Sequence, residues 1–249
     1  MKSIVKNLIE NLLPDKIQLF IRFHWMKIRG KLDVEMLYIT KILKRKRTFL
    51  DIGANVGIYS YYYSKYFNNI VSFEPISELT YRLKSLKNKK ITIHHTALSN
   101  TNGILDLHIP IENGKQVTAL STLEDRYTAY QKKKVIVKKL DEYKIADVDL
   151  IKIDVEGHEE HVIAGGLQTI VKYNPLLIIE IEQRHLKKDI KDIFNILKKL
   201  NYEGFFLKNG NLEPLYKFNY VIDQKPYLDN FLHKNYINNF IFIPKKVKK

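Results

Sequence analysis

The chain of 249 residues contains no cysteine, which excludes disulfides, thiolate metal sites and cysteine nucleophiles. This composition fits a reducing compartment, so we expect a cytoplasmic protein. No segment approaches the roughly 20 consecutive apolar residues of a membrane-spanning helix. The N-terminus lacks a secretory signal, because Lys6, Asn7, Glu10 and Asn11 interrupt its apolar residues. We therefore expect a soluble protein or one that binds a membrane peripherally.

Arginine is scarce: only seven of the 42 basic residues are arginines, although the formal net charge is +15. Forked recognition of phosphates favours arginine, and the lysines are spread along the chain. The charge therefore favours general basicity over a nucleic-acid surface, and no nucleic-acid partner is expected. A chain of this length with 45% hydrophobic residues is typical of one well-buried α/β domain.

The N-terminal 32 residues are predicted to be a basic helical extension. Apolar spacing predicts helices over residues 3–13, 15–29 and 33–43. The second helix carries a narrow stripe made of Ile17, Phe20, His24 and Ile28. Packing of that stripe on the domain edge is the favoured interpretation, and association of these basic helices with a membrane surface remains the alternative.

The stretch from Thr48 to Ser60 predicts a buried strand, a glycine turn and the start of a helix. Gly53 and Gly57 bracket the turn, where a backbone without Cβ allows a ligand to approach closely. A helix that begins near Gly57 directs its free N–H groups at that ligand. The pattern is typical of a loop that binds a nucleoside cofactor.

Strands and helices then alternate with short links, which predicts a parallel sheet with right-handed crossovers. The expected strands are 70–74, 91–95, 148–154, 175–182, 202–207 and 236–243, and the expected helices are 77–87, 159–172 and 187–200. A turn signal at 102–103 precedes alternating apolar residues over 104–109. Residues 110–134 are polar and basic and are expected to be a mobile excursion, and residues 135–137 are predicted to return as a strand.

Four of the predicted strands end in acids: Asp51, Glu74, Asp154 and Glu180. Ligands of an open parallel sheet bind beyond the carboxyl ends of its strands, and burying four unpaired acids there would be costly. A dinucleotide enzyme also places an acid about 20 residues after its glycine loop. Here, however, Asn55 replaces the second glycine, and Asp51 would repel a pyrophosphate. A cofactor with an amino group and no phosphate, such as S-adenosylmethionine, fits better.

Five motifs together resemble the FkbM family of S-adenosylmethionine-dependent methyltransferases. They are D-I-G-A-N-V-G at 51–57, F-E-P at 73–75, A-L-S at 97–99, I-K-I-D-V-E-G at 151–157 and E-I-E at 180–182. Residues 183–185 and 236–244 resemble a bacterial branch of the family. The resemblance covers about residues 33 to 244, and the motifs occur in family order.

The resemblance implies a Rossmann-like class I methyltransferase fold. This fold has a mostly parallel sheet of seven strands, with one antiparallel strand near an edge and helices on both faces. We accordingly expect a helical extension at 1–32, a methyltransferase domain at 33–244 and a basic tail at 245–249.

The resemblance also implies a set of residues that bind S-adenosyl-L-methionine: Asp51, Gly53, Asn55, Gly57, Glu74, Ala97, Leu98 and Asp154. In this assignment Asp51 lies near the amino group of the cofactor and Glu74 holds the ribose. Residues 96–98 lie along the adenine, and Asp154 closes the pocket beside the sulfonium.

The catalytic candidates are polar groups at the strand ends: Asp154, Glu180, Glu182 and His185. A sugar hydroxyl barely ionises at neutral pH, so a base should remove its proton as the methyl group arrives. We predict that His185 is this base and that Glu180 or Glu182 orients it. His158 is interpreted as a residue of a helix start.

Lys152 and Asp154 share one face of a strand, and Lys152 is predicted to be a buried partner of Glu180 or Glu182. A divalent metal held by Asp154, Glu156 and Glu180 is an open alternative. No spacing in the sequence specifies such a site.

These features predict O-methylation of a sugar hydroxyl in a glycan, a lipopolysaccharide or a natural-product precursor, so the expected partner is a small-molecule or glycan acceptor. One alternative is an RNA or other nucleic-acid methyltransferase, although residues 154–157 lack the N/D-P-P-Y/F turn of base N-methylation. Another is a non-catalytic cofactor-binding or peripheral membrane protein, positioned at the inner face of the membrane. The acceptor and the oligomeric state do not follow from the sequence.

Overall fold

A mixed sheet of eight strands forms the centre of the computed structural model, which describes residues 13–112, 114–230 and 233–245. Its strands are β1 (Thr48–Ile52), β2 (Asn69–Phe73), β3 (Ile91–His94), β8 (Val148–Ile153), β9 (Leu176–Glu180), β10 (Tyr202–Lys208), β11 (Asn211–Pro214) and β12 (Asn239–Pro244). They lie in the order β11-β10-β12-β9-β8-β1-β2-β3. β1, β2, β3, β8 and β9 are mutually parallel, whereas β12 is antiparallel to β9.

The predicted sheet of seven strands with one antiparallel strand needs a correction. β10 pairs antiparallel with β12 and therefore runs with β9, and β11 then adds an eighth strand that again runs the other way. A tight hairpin at Asn209 and Gly210 connects β10 to β11. The φ values of these two residues are positive, at 52° and 80°. This pattern is typical of a two-residue turn between strands.

Helices cover both faces of the sheet, as predicted. They are α1 (Asp15–Ile28), α2 (Val34–Ile42), α3 (Ile58–Tyr63), α4 (Ser77–Ser85), α5 (Glu159–Gly165), α6 (Leu167–Tyr173), α7 (Lys191–Lys199) and α8 (Tyr220–Asp223). The side chains of β1 alternate between the two faces of the sheet. Leu50 and Ile52 pack into one core, and Phe49 packs into the other. A strand covered on both faces is buried at every position, as β1 is.

Two helix predictions change. The single helix expected over 159–172 is interrupted at Gly166, where α5 ends and α6 begins. The stripe predicted on the second helix is the wrong face of α1, since Leu19 and Phe23 are buried whereas Ile17 and Phe20 are exposed. The helix predicted over residues 3–13 falls outside the described residues except at its last position.

A second sheet forms on both sides of the segment that was expected to be a mobile excursion, and includes parts of it. It contains β4 (Ala97–Leu98), β5 (Gly103–Glu112), β6 (Lys115–Gln116) and β7 (Tyr130–Lys138), in the order β4-β7-β5-β6. Its apolar face buries Leu107, Ile109, Val135 and Val137. Residues 110–112, 115–116 and 130–134 of the predicted excursion therefore belong to strands, and residues 135–137 form a strand as predicted. The predicted limits of the extension, the methyltransferase domain and the tail stay predictions.

Candidate active site

A cavity with an empty volume of about 590 Å³ lies beyond the carboxyl ends of β1, β2 and β8. Six of the predicted cofactor residues line it: Gly53, Asn55, Glu74, Ala97, Leu98 and Asp154. Its apolar wall includes Ile52, Phe73, Ile76 and Leu107. The mixture of apolar walls with a few polar groups suits a small organic cofactor.

The glycine loop is shaped by its contact with the next strand of the sheet. Gly53 has a φ of +78°, and a Cβ at this position would lie 1.8 Å from the backbone oxygen of Asp154. The amides of Gly53 and Ala54 donate to the carbonyl of Phe73, which ties the loop to β2. Asn55 has a φ of 49°, a left-handed conformation that asparagine tolerates better than most residues.

Glu74 is held at the cavity wall by two backbone amides. Its Oε2 accepts from Asn55 N at 2.8 Å and its Oε1 accepts from Ile76 N at 2.8 Å. A carboxylate has about four lone-pair sites, so each oxygen can still accept one ribose hydroxyl. Burial raises the pKa of Glu74 to about 7, although the two amides act in the opposite direction.

Asp51 and Gly57 are not among the residues that line the cavity, and their predicted contact with the cofactor stays a prediction. Asp51 is buried and accepts hydrogen bonds from the backbone amide and the hydroxyl of Ser60, in the first turn of α3. Gly57 has a φ of +85° and lies against Leu83. Both residues therefore order the loop and the start of α3 from behind the cavity wall.

Lys152 neutralises the acids at the ends of β8 and β9. Its buried ammonium donates to Asp154 Oδ2 at 2.6 Å and lies 4.0 Å from Glu180 Oε2. Burial opposes this charge, but Asp154 and Glu180 outweigh it and raise the pKa of Lys152. The predicted partnership with Glu180 is confirmed, and Asp154 is the nearer partner. Tyr59 lies under the same ammonium and donates to Asp33 Oδ2 at 2.9 Å.

Glu182 is not the partner of His185. It accepts from Arg184 Nε at 2.5 Å and from the hydroxyl of Tyr236, which occupies the carboxylate. His185 Nδ1 instead lies 2.9 Å from Glu156 Oε2. A 3₁₀ turn over Gln183–His185 carries the imidazole of His185 away from β9 and towards the loop after β8.

Burial governs the protonation of this pair. It lowers the pKa of His185 well below its usual range, and the nearby Arg126 adds to the effect. Burial also raises the pKa of Glu156, helped by Asp154 and Glu182. His185 is therefore neutral at physiological pH, but the burial that keeps it neutral also disfavours the protonated imidazole that a general base must become. Like the predicted contacts with the cofactor, this catalytic role stays a prediction.

Several residues of the site were missed by sequence reasoning. Residues 118–119 and 121–123 form the wall of the cavity opposite the glycine loop, and Thr122 Oγ1 fixes that wall by donating to Glu156 O at 2.7 Å. His158 also lines the cavity, where its ring bridges Ser99 Oγ at 2.9 Å and Glu124 Oε1 at 2.7 Å. Only their position in the fold reveals residues 118–119 and 121–123, whereas His158 directly follows the motif at 151–157 and was interpreted only as a residue of a helix start.

The predicted metal set of Asp154, Glu156 and Glu180 does not converge, because Lys152 holds Asp154. Among the described residues, two other groups bring ligand atoms together: Glu156 with Glu182 and His185, and Glu124 with His158 and His161. In the first group Glu182 is already bound by Arg184 and Tyr236. The chemistry of the site is therefore that of an organic cofactor, and no metal is indicated.

The sheet order, the glycine loop and the acid at the end of β2 define a Rossmann-like methyltransferase. The chain belongs to the FkbM methyltransferase family: the methyltransferase FkbM domain matches residues 51–204, more than half of its length. The family uses S-adenosyl-L-methionine, and the free lone pairs of Glu74 and the apolar cavity walls fit that cofactor. No relative among the curated proteins matches the chain.

Solved structures with a similar fold are distant in sequence. An FkbM methyltransferase from Methylobacillus flagellatus shares 15% identity with a TM-score of 0.49, and the match covers 95% of this chain and 57% of that one. The chain thus spans little more than half the length of that protein. A TehB-like SAM-dependent methyltransferase from Corynebacterium glutamicum shares 11% identity with a TM-score of 0.45, over 93% and 98% of the two chains. A putative methyltransferase from Streptococcus mutans, solved with SAH, shares 8% identity with a TM-score of 0.46, over 84% and 96%.

Proposed function

We propose that the chain is an S-adenosylmethionine-dependent O-methyltransferase that methylates a hydroxyl of a sugar in a glycan, a lipopolysaccharide or a natural-product precursor. The main support is the convergence of Gly53, Asn55, Glu74 and Asp154 on one cavity within an FkbM domain. The resemblance to the family supports the sugar. The carboxylates, guanidinium groups and imidazole around Glu156 also suit a polar acceptor that carries hydroxyls.

S-adenosyl-L-methionine, when bound, supplies a methyl group that is attached to a sulfonium. The sulfur is a good leaving group when the methyl group is transferred. The chain has to position the acceptor in line with that methyl group and remove the proton of the hydroxyl. In this proposal Glu74 orients the ribose, and Asp154 faces the positive charge. His185 accepts the hydroxyl proton at Nε2, while Glu156 holds its Nδ1.

Cofactor binding tests the first half of the proposal. Calorimetry should show S-adenosylmethionine binding by the wild type and a loss of roughly ten- to a hundredfold in affinity for Glu74→Ala, because hydrogen bonds to a charged group contribute about 1.5–3 kcal/mol. Glu78→Ala is the matched control, since Glu78 is an exposed acid on α4 that pairs with Lys133. Absence of binding by the wild type, or equal affinities for wild type and Glu74→Ala, would refute this assignment.

The acceptor is tested separately. The enzyme is incubated with methyl-deuterated cofactor and with extracts of surface glycans, lipopolysaccharide or total RNA. Mass spectrometry should place the label on a sugar hydroxyl of the glycan or lipopolysaccharide fraction. Label in RNA alone would reject the sugar acceptor and leave the methyltransferase assignment standing.

A further inference from the structure

Helix α1 exposes a broad apolar face. Its side chains and their exposed fractions are Ile17 44%, Phe20 49%, Ile21 37%, Trp25 50% and Ile28 85%. At 3.6 residues per turn these five positions span an arc of roughly 140°. A surface helix normally presents polar residues on its solvent side, whereas α1 is apolar on its solvent side as well as on its buried side.

Cations border the apolar face on both sides. Lys16 and Lys27 flank one edge of the arc, and Arg22 and Arg29 flank the other. The guanidinium carbon of Arg29 lies 5.8 Å from the centre of the Trp25 ring, and Lys31 Nζ lies 5.4 Å from it. A tryptophan between an apolar face and cations is typical of helices that lie in a membrane interface.

The inner face of α1 fixes this surface to the catalytic domain. Leu19 packs with Ala54 of the glycine loop and with Leu83 and Leu86 at the end of α4. Asp15 accepts a hydrogen bond from Ser85 Oγ at 2.7 Å, which anchors the start of the helix. The exposed face is therefore presented by a docked helix of 14 residues beside the cofactor loop.

We propose that α1 binds an anionic lipid bilayer, with its apolar face at the boundary of headgroups and acyl chains and its cations on the lipid phosphates. None of the described helices is long and apolar enough to cross a membrane, so the contact is with one surface. Charge favours the bilayer over a second copy of the chain. A symmetric dimer through this face would bring the same cations together, in a chain that carries +15.

The chain reports on this contact directly, because Trp25 is its single tryptophan. The full-length protein is mixed with vesicles of phosphatidylcholine alone or of phosphatidylcholine with phosphatidylglycerol. We expect a blue shift of Trp25 emission and quenching by brominated lipid with the anionic vesicles only. Sedimentation with the vesicles should weaken as salt is raised.

Variants that retain Trp25 separate the contribution of the apolar face from that of the cations. Phe20→Ser with Ile28→Ser should weaken binding to anionic vesicles by roughly tenfold or more, because both side chains lose burial in the interface. Lys27→Gln and Arg29→Gln should each weaken it by roughly fivefold. The matched control is Val171→Ser with Tyr216→Ser, two exposed apolar residues outside α1, which should bind as the wild type does.

Three results would overturn the proposal. The first is the absence of both the emission shift and sedimentation with anionic vesicles. The second is emission that is already blue and protected from acrylamide without lipid, with a dependence on protein concentration, since a second copy would then cover the face. The third is blue emission that is protected from acrylamide without lipid and does not depend on protein concentration. This result would assign the face to residues 1–12. None of these measurements involves methyl transfer, so they are independent of the proposed function.

Discussion

The carboxylates around the cavity differ in their partners, and each partner determines what its carboxylate can do. Asp154 is paired with Lys152 at 2.6 Å and stays available as a fixed negative charge at the cavity wall. Glu182 is occupied by Arg184 and Tyr236 and therefore has a structural role. Glu156 lies 2.9 Å from a neutral imidazole, which makes this pair the best candidate for moving a proton.

The dyad of Glu156 and His185 gives a prediction at the scale of single residues. His185→Asn should lower kcat by roughly 10²–10⁴-fold, the range expected for loss of a general base. The Kd for S-adenosylmethionine should change little, because His185 is not among the residues that line the cofactor cavity. Glu156→Gln should lower kcat less and move the acidic limb of the pH profile, since it alters only the orientation and basicity of the imidazole.

His233→Asn serves as the control for the dyad, because His233 stacks on Tyr227 and does not line the cofactor cavity. The measurement is kcat and KM for methyl transfer across pH, together with calorimetry for the cofactor. If His185→Asn kept the kcat of the wild type, the base would have to be another group, and Asp154 would be the first to examine.

At the scale of elements, the cofactor cavity is built where three chain segments close on one another. The glycine loop contacts the carbonyl of Asp154 so closely that only glycine fits at position 53. Residues 118–119 and 121–123 form the opposite wall, and the hydroxyl of Thr122 ties that wall to the loop after β8. Small changes in backbone spacing should therefore alter the cofactor site as a whole.

Gly53→Ala tests this close contact. A Cβ at Gly53 would lie 1.8 Å from a backbone oxygen, so β1 and β8 would have to move apart. We expect a loss of about 1–2 kcal/mol of unfolding free energy from the left-handed conformation, with about 1–3 kcal/mol more from overpacking. Cofactor affinity should fall together with stability. Denaturant unfolding measures the stability, and calorimetry measures the affinity.

Gly210→Ala is the matched control, because Gly210 has a φ of +80° and nothing within 4 Å of its ideal Cβ. This variant should lose only the conformational contribution and should keep full cofactor affinity. Equal destabilisation of the two variants would show that the contact between the loop and Asp154 is unimportant.

The sequence predicted these elements unevenly, for physical reasons. β1, β2, β8 and β9 were predictable because strands buried on both faces are short continuous apolar runs with an acid at the end. In the second sheet the apolar run at 135–137 was predictable as a strand, whereas the first half of β7 was missed because residues 130–134 are polar and none of them is buried. The partner of His185 was missed because a 3₁₀ turn decides it, whereas proximity in the sequence favoured Glu180 or Glu182.

At the scale of the whole molecule, buried acids outnumber the cations that could neutralise them around the sheet. Burial raises the pKa values of Glu35 and Glu159 to about 8 and that of Glu74 to about 7. By about pH 7.5, one unit above their ordinary pKa, histidines have largely lost their protons in the unfolded chain. The folded protein then holds protons on these acids that the unfolded chain, with pKa values near 4.3, has already released.

The free energy of unfolding should consequently fall as pH rises from about 7.5 to 8.5. The sign follows from linkage: a group whose folded pKa is raised above its unfolded value binds more protons in the folded state, so stability is lost as pH rises towards the folded pKa. Each such proton contributes a slope of about 1.4 kcal/mol per pH unit. Urea unfolding of the cofactor-free protein across this range measures the slope.

Glu159→Gln isolates one of these acids. Glu159 Oε1 accepts from Gly157 N at 2.9 Å, and its Oε2 is buried with no hydrogen-bond partner. A neutral amide of the same shape needs no proton on folding, so it should raise stability already at pH 7.5 and by more at pH 8.5, which makes the pH slope shallower. Glu160→Gln, at the next position, changes an exposed side chain and should keep the slope of the wild type. If Glu159→Gln also kept that slope, Glu159 would be ionised in the folded protein, and the stability of the molecule at alkaline pH would have to depend on other groups.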